Sequence, residues 1–172
     1  MAWYALCHVY YHSKVLLEPM TLWRSGHKSL EPVPREDLLR LVTDLQVAVQ
    51  AQLGQAFQLV DERGPGVMRI RLAITQARAA DPVLDILRTA RGSDRPHPAG
   101  DGPLHPETRL FLQAAVIEGD IRDAQTGTLL SEGVDHRKEG APALETWADV
   151  DRAFAFWAGR LCKRLEARTE AR

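Results

Sequence analysis

The sequence predicts an α+β fold: a single antiparallel or mixed β-sheet of about five strands, with two long helices packed on one face. Residues 64–77, GPGVMRIRLAITQA, alternate between apolar and polar side chains, which is typical of a strand. Two other segments, residues 34–53 and 146–165, carry apolar side chains at helical spacing. Residues 123–127, DAQTG, have the composition of a tight turn between two strands.

Composition places the chain among ordinary globular proteins. Its 172 residues suffice for one domain with an adequate core, and 45% of them are apolar and 26% charged. The net charge of −1 creates no overall field that would attract nucleic acid or anionic lipid. No apolar run reaches transmembrane length. We therefore expect a single domain over residues 1–172 and do not favour a nucleic-acid partner.

The amino-terminal segment is expected to form the first strand. It runs from about Ala5 to Glu18, is rich in aromatic and branched residues, and ends at Pro19. A polar connection follows over residues 21–32. The segment lacks the basic start and small-residue cleavage site of a secretory leader, so it is interpreted as folded protein.

One helix and a hairpin are expected next. The helix opens at Pro34, where proline is tolerated, and Gly54 is expected to cap its carboxyl end. A short strand over residues 56–61 then forms an antiparallel hairpin with the strand that begins at Val67. In that second strand the dry side consists of Met68, Ile70, Leu72 and Ile74. The wet, cationic side consists of Val67, Arg69, Arg71 and Thr75.

The carboxyl-terminal half is expected to begin with a short helix over residues 81–90 and a Pro/Gly-rich surface loop over residues 91–106. A long strand follows over residues 109–122, apolar in part on both sides, and the DAQTG turn leads into a partner strand over residues 128–135.

The last helix is expected to start at Thr146, which can cap it together with Asp149. Its apolar stripe consists of Trp147, Val150, Phe154, Trp157, Leu161 and Leu165.

No metal site, cofactor or nucleophile is predicted. The residues considered as metal ligands are Cys7, His8, His12, His97, His105, Asp94 and Asp101, but they match no ligand motif. Ser25, Ser93 and Ser131 lack the strand–turn–helix context of a hydrolase nucleophile. Cys7 and Cys162 permit one disulfide without requiring it.

Charged residues of the two long strands are the candidate ligand-binding residues. They are Arg69, Arg71, Asp120 and Asp123. Asp120 and Asp123 belong to a carboxylate group at the 118–135 hairpin that also includes Glu118 and Asp135, and paired carboxylates can perform acid–base chemistry. The arginines belong to a cationic row that could hold an anionic polymer, and Arg78, Arg109 and Arg122 are its expected neighbours. Solvated surface charge is the competing interpretation of both groups.

Several segments together resemble a family of bacterial envelope proteins, mostly lipoproteins, known as domain of unknown function 3313. The matching pieces are YHSKVLLEPMTLW, PREDLLRLVTDLQVAVQAQL, GPGVMRIRLAITQA, AAVIEGDIRDAQTGTLLSEGVDHR and WADVDRAFAFWAGRL, in the family's order. The resemblance implies secretion, lipid attachment at a leader cysteine, and residence in the periplasm or at the outer membrane. Leu6 before Cys7 departs from a lipoprotein signal, so a cytoplasmic location stays open.

Three functional hypotheses follow. The first is a non-enzymatic envelope module that binds another envelope protein or component and meets the membrane only through a lipid anchor. The second is a small hydrolase or transferase that uses the carboxylates of the 118–135 hairpin. The third is a cytoplasmic binder of an anionic polymer that uses Arg69 and Arg71. The family supplies no catalytic residues, and the oligomeric state stays open.

Overall fold

The computed structural model describes residues 2–5, 12–22, 33–76, 102–136 and 143–170. They form an α+β fold with a mixed sheet, as the sequence predicts. The strands are β1 (Ala2–Ala5), β2 (Lys14–Leu17), β3 (Thr21–Leu22), β4 (Gln58–Leu59), β5 (Val67–Gln76), β6 (Ala115–Asp123) and β7 (Leu129–His136). The helices are α1 (Arg35–Ala56), α2 (Pro106–Ala114) and α3 (Trp147–Glu170). The sheet order is β1-β7-β6-β5-β2-β4, and β3 also pairs with β5.

Antiparallel strands β5, β6 and β7 form the centre of the sheet. β5 pairs with β6 from Met68↔Asp123 to Gln76↔Ala115, and β6 pairs with β7 from Val116↔His136 to Arg122↔Leu129. The β6–β7 turn is the predicted one: Gly127 has φ of 75°, a left-handed conformation that glycine adopts without a Cβ clash. A register shift between Ile121 and Arg122 lies nearby.

One face of the sheet carries the hydrophobic core, and the two long helices cover it. The four residues predicted for the dry side of β5 (Met68, Ile70, Leu72 and Ile74) are all buried there. α1 contributes Leu38, Leu41, Val42, Leu45, Val49 and Leu53, and α3 contributes every residue of its predicted stripe. The helices also contact each other, since the guanidinium of Arg40 lies 4.2 Å from the centroid of the Trp147 ring. The predicted two-layer arrangement is confirmed.

The other face of β5 is polar only in part. Arg71 is exposed and Arg69 half-buried, as expected for a wet side, but Val67 and Thr75 are buried. The cationic character is therefore confined to the middle of the strand. We call the surface formed by Glu18, Arg69, Arg71, Asp120 and Arg122 the charged face.

The single amino-terminal strand predicted from Ala5 to Glu18 is wrong. β1 pairs with β7 at one edge of the sheet, whereas β2 pairs with β4 and β5 on the opposite side. The apolar composition of this segment indicated strand correctly, but two strands on opposite sides of β5 cannot be one continuous element. Of the polar connection predicted over residues 21–32, β3 occupies the first two residues and pairs with β5.

The hairpin predicted between residues 56–61 and Val67 is also wrong. β4 is only two residues long and pairs in parallel with β2, which lies between β4 and β5. The amide of Gln58 donates to the carbonyl of Ser13, and the amide of Val60 donates to that of Val15. Because β2 occupies the position beside β5, the short connection between β4 and β5 does not make these two strands neighbours.

Of three predicted helix boundaries, the starts of α1 and α3 are confirmed and the end of α1 is wrong. Pro34 immediately precedes α1, as expected, but the helix continues through Gly54 and ends at Ala56, where the amide of Phe57 donates to the carbonyl of Leu53. Gly54 has no left-handed backbone, so it is not the predicted cap. The predicted cap of α3 is confirmed: the Thr146 amide donates to Asp149 Oδ2 over 2.8 Å, and the Asp149 amide donates to Thr146 Oγ1 over 3.3 Å.

The long strand predicted over residues 109–122 is wrong in its first half, which is the helix α2. Pro106 lies in the first turn of α2, and the ring Nδ1 of His105 accepts a hydrogen bond from the amide of Glu107. Thr108, Phe111 and Leu112 are buried at helical spacing. The helix predicted over residues 81–90 and the Pro/Gly-rich loop up to residue 101 lie outside the described residues. Residues 102–105 of that loop are described, and Pro103 forms a β-bridge with Thr146.

Candidate functional site

Arg71 and Asp120, two of the predicted ligand-binding residues, form an ion pair with each other. They face each other across β5 and β6, and both Nε and Nη2 of Arg71 donate to the Asp120 carboxylate. Arg122 adds a third donor, with its Nε 3.0 Å from Asp120 Oδ2. The Asp120 carboxylate therefore accepts hydrogen bonds from two guanidinium groups.

The pKa values of this group respond to the pairing. Hydrogen bonding from Arg71 lowers the pKa of Asp120, and Arg122 adds to the effect. In return, the hydrogen bond to Asp120 raises the pKa of Arg71. Both groups hold their charges over the whole neutral range, so this pair has no proton to exchange near pH 7.

Arg69 is also engaged, because its Nη1 lies 3.3 Å from Glu18 Oε1. Of the other expected members of the cationic row, Arg109 lies on α2 and pairs with Glu145 over 2.6 Å. Arg78 lies outside the described residues. On the charged face each of the three arginines thus pairs with a carboxylate, and this arrangement favours a structural role over the capture of a polyanion.

Asp123, the fourth predicted residue, organises the β6–β7 turn. Its Oδ1 accepts hydrogen bonds from the amides of Gln125 and Thr126 and from the Thr126 hydroxyl. Its Oδ2 lies 2.8 Å from Nε2 of the buried His12. These donors, the Thr126 amide first, lower the pKa of Asp123 to about 2. Asp123 connects the turn to the segment before β2 and stays ionised.

The other two carboxylates of the hairpin lie on opposite faces of the sheet. Glu118 is on the side of the charged face and accepts a hydrogen bond from the Thr75 hydroxyl over 2.6 Å. Asp135 pairs in register with Ile117, one residue along from Glu118, and therefore belongs to the core side. The four carboxylates of the hypothesis thus serve different partners and do not converge on one point.

A cavity of about 680 Å³ lies on the core side, where α2, the first half of α3 and the ends of the central strands meet. We call it the α2–α3 cavity. Its apolar wall includes Ile74, Leu112, Ile117, Leu144, Phe156 and Trp157. Its polar wall consists of Asp135, His136, Asp149, Arg152 and Arg160. Volume and lining are those of a site for a small ligand.

Two polar groups in the wall of this cavity lack partners. Asp135 is only 9% exposed, and within the described ranges no hydrogen bond or ion pair engages its carboxylate. The indole Nε1 of Trp157 is buried and has no acceptor there either. Burying a polar group such as the Trp157 indole without a partner costs about 1–3 kcal/mol, so a ligand that pairs with it can gain binding energy.

Both arginines of the cavity wall contact other residues of that wall. Arg152 donates to Asp149 over 2.5 Å, and the guanidinium of Arg160 lies 5.7 Å from the centroid of the Phe156 ring. The hydrogen bonds that Asp149 accepts, first from the Thr146 hydroxyl, lower its pKa to about 2. Phe156 itself is 68% exposed at the rim, an aromatic outside the helix stripe.

No group of three or more metal-ligating side chains occurs in the part of the chain that the structure describes. His105 caps α2, and His12 binds Asp123. Cys162 is a free, buried thiol whose Sγ donates to the carbonyl of Gln52, and burial raises its pKa. Ser131 is buried and accepts a hydrogen bond from Arg168. The other residues considered as ligands or nucleophiles lie outside the described residues.

The sequence indicated Asp135 as one of the hairpin carboxylates but did not reveal the cavity that it lines. The residues from α2 were missed because this segment was interpreted as a strand. Phe156 offered a signal, since a large aromatic next to a helix stripe, rather than in it, is a candidate contact residue. Trp157 was assigned to the core, and it is both a core residue and a wall of the cavity.

No helix of the described residues combines the length and apolarity needed to cross a membrane. No curated protein matches the chain significantly. A solved structure, a dodecamer of a point variant of PelC from Paraburkholderia phytofirmans, is similar over 96% of this chain and 95% of that one, with 9% identity and a TM-score of 0.39. The family model "Protein of unknown function (DUF3313)" matches residues 7–161. This match spans most of the sequence, and the chain therefore belongs to the DUF3313 family.

Proposed function

We propose that this protein is a non-enzymatic binding or assembly module of the bacterial cell envelope, and that the α2–α3 cavity is where it holds its ligand. The envelope setting rests on the resemblance of the sequence to lipid-anchored proteins of the periplasm and outer membrane. In this proposal a lipid anchor tethers the full-length protein, and the ligand comes from another envelope protein or component.

The observation that supports a binding role is the cavity itself. Its volume of about 680 Å³ lies within the range of small-molecule sites, and its wall is mostly apolar with a few polar groups. The Asp135 carboxylate and the Trp157 indole, both without partners in the described part of the chain, are groups that a bound molecule can satisfy.

The arrangement of charges favours binding over catalysis. General acid–base chemistry by carboxylates requires two such groups near one reacting bond, as in glycoside hydrolysis. Here Asp120 and Asp123 are held by arginines and by a turn, and Glu118 lies on the opposite face from Asp135. The polyanion hypothesis is disfavoured because Arg69 and Arg71 already pair with carboxylates.

Filling the cavity tests the binding role. Ala153 lies in the cavity wall, whereas Ala155, two residues further along α3, is exposed and outside it. We expect native mass spectrometry of protein purified from the periplasm to detect a bound small molecule in the wild type and in Ala155→Phe. The molecule should be absent from Ala153→Phe. Retention in Ala153→Phe, with both variants folded by circular dichroism, would contradict a role for this cavity.

Three further measurements address the rest of the proposal. An in-frame leader upstream of Met1 that ends in a small residue and a cysteine would support the envelope location, as would fractionation of the native protein with outer membranes. Robust turnover of general hydrolase substrates that is lost in Asp120→Asn or Asp123→Asn would refute the non-enzymatic assignment.

A further inference from the structure

Asp135 is the feature of the α2–α3 cavity that carries chemical information about its ligand. The residue lies near the end of β7, is nine-tenths buried and lines the cavity. The carboxylate oxygens stay accessible from the cavity, so a cation or several hydrogen-bond donors of a ligand can reach them. Within the described ranges, the protein provides neither.

The nearby cations do not fill this role. Arg152 is 72% exposed at its side chain and pairs with Asp149, a neighbour on its own helix. Arg160 lies over the Phe156 ring, and no hydrogen bond or ion pair joins it to Asp135 within the described residues. The Asp135 carboxylate therefore borders a mostly apolar space and pairs with no cation of the described residues.

We propose that the cavity binds an amphiphilic amine: a molecule with an apolar body that fills the space between α2 and α3, and an ammonium group that donates to the Asp135 carboxylate. A charge-assisted hydrogen bond of this kind is about twice as strong as a neutral one. The apolar wall accounts for the body, since burial of its methylene groups in such a space is favourable. This inference rests on the proposed binding role of the cavity and specifies its ligand class.

Isothermal titration calorimetry with three probes of equal chain length tests the head group. The probes are decylamine, decanol and decanoate, all below the concentrations at which they form micelles, at pH 7. The wild type is expected to bind decylamine at least about tenfold more tightly than decanol, and decanoate most weakly. Asp135→Asn should reduce the difference between decylamine and decanol to less than about twofold. Asp151→Asn, an exposed site on α3, should leave it unchanged.

The outcomes separate this inference from the binding role itself. Equal affinity of the wild type for all three probes would overturn the amine inference and leave the cavity as an apolar binding site. A preference for decylamine that persists in Asp135→Asn would also overturn it. Absence of binding by every probe would count against both proposals. The comparison of head groups on the wild type stands even if Asp135→Asn fails to fold.

Discussion

Gly119 is the residue at which one added methyl group should disturb the sheet most. It lies in the middle of β6, opposite Leu72 of β5. A Cβ built at this position would lie 2.6 Å from the carbonyl oxygen of Arg71 and would also overlap Cδ2 of Leu72. The leucine tip can rotate away, but the carbonyl belongs to the backbone of the neighbouring strand. Gly119→Ala must therefore push β5 and β6 apart.

The expected loss of stability follows from how far the two strands must separate. Ordinary van der Waals contact begins at 3.4 Å, so the strands would separate locally by about 0.8 Å. Overpacking of this kind costs about 1–3 kcal/mol. Replacing glycine by alanine recovers up to about 1 kcal/mol by restricting the unfolded chain. We expect a net loss of about 2 kcal/mol, measured as a decrease of about 1 M in the urea midpoint if the slope is about 2 kcal/mol/M.

Gly64→Ala is the matched control. Gly64 precedes β5, the strand that Gly119 faces; its backbone is not left-handed, and a Cβ there would meet nothing within 4 Å. This variant should change the free energy of unfolding by less than about 0.5 kcal/mol. Equal stability of Gly119→Ala and the wild type would refute the close approach of β5 and β6 on which the reasoning depends.

Three further predictions concern the core, the turn and a helix cap. Trp157→Ala should lower the free energy of unfolding by about 3 kcal/mol in urea melts. This value is at the lower end for a buried aromatic residue because one side of the indole already borders the cavity. In the same melts Phe156→Ala, at an exposed position, should change the free energy of unfolding by less than about 0.5 kcal/mol. In the folded protein the pKa of Asp123 is about 2, below its ordinary value near 4, so ionised Asp123 stabilises the fold above about pH 4, and this contribution declines as the pH falls towards 2. Urea melts from pH 6 to pH 3 should show that Asp123→Asn is less stable than the wild type by about 1–2 kcal/mol at pH 6, a value discounted for solvent screening. The difference in stability should narrow below pH 4. A difference that stays constant with pH would contradict the lowered pKa of Asp123. Thr146→Ala should cost about 1 kcal/mol in thermal or urea melts because α3 loses the hydroxyl of its capping box, and no loss would contradict the cap.

The sequence predicted those elements whose stability is local. The alternation in β5, the turn at Gly127 and the stripe of α3 each follow from a periodicity or a backbone requirement visible within a few residues. The failure at α2 has an equally local cause. Leu110 and Leu112 suggest a period of two, while the buried helical position is taken by Thr108, a polar residue. Its hydroxyl donates to Asp37 of α1 over 2.5 Å, a contact that no sequence pattern reveals.

The pairing of the strands could not be predicted from local sequence patterns. β2 enters between β4 and β5, and this parallel pairing of segments about 50 residues apart depends on tertiary packing. In the candidate site, too, residue types were predictable from the sequence but their contacts were not. Arg71 and Asp120 were recognised as charged strand residues, but their mutual pairing depends on the register of β5 with β6. The cavity joins side chains from α2, α3 and three strands, so only the fold brings them together.

The position of β1 has a consequence for how the newly made protein matures. Ala2–Ala5 leaves the ribosome well before its partners, residues 131–134, which are made about 130 positions later. At roughly 5–20 residues per second, this wait lasts on the order of 10 s. During that time β7 does not exist, and Ala2–Ala5 lacks its partner strand. Closing this outer edge of the sheet is therefore a late event in biogenesis.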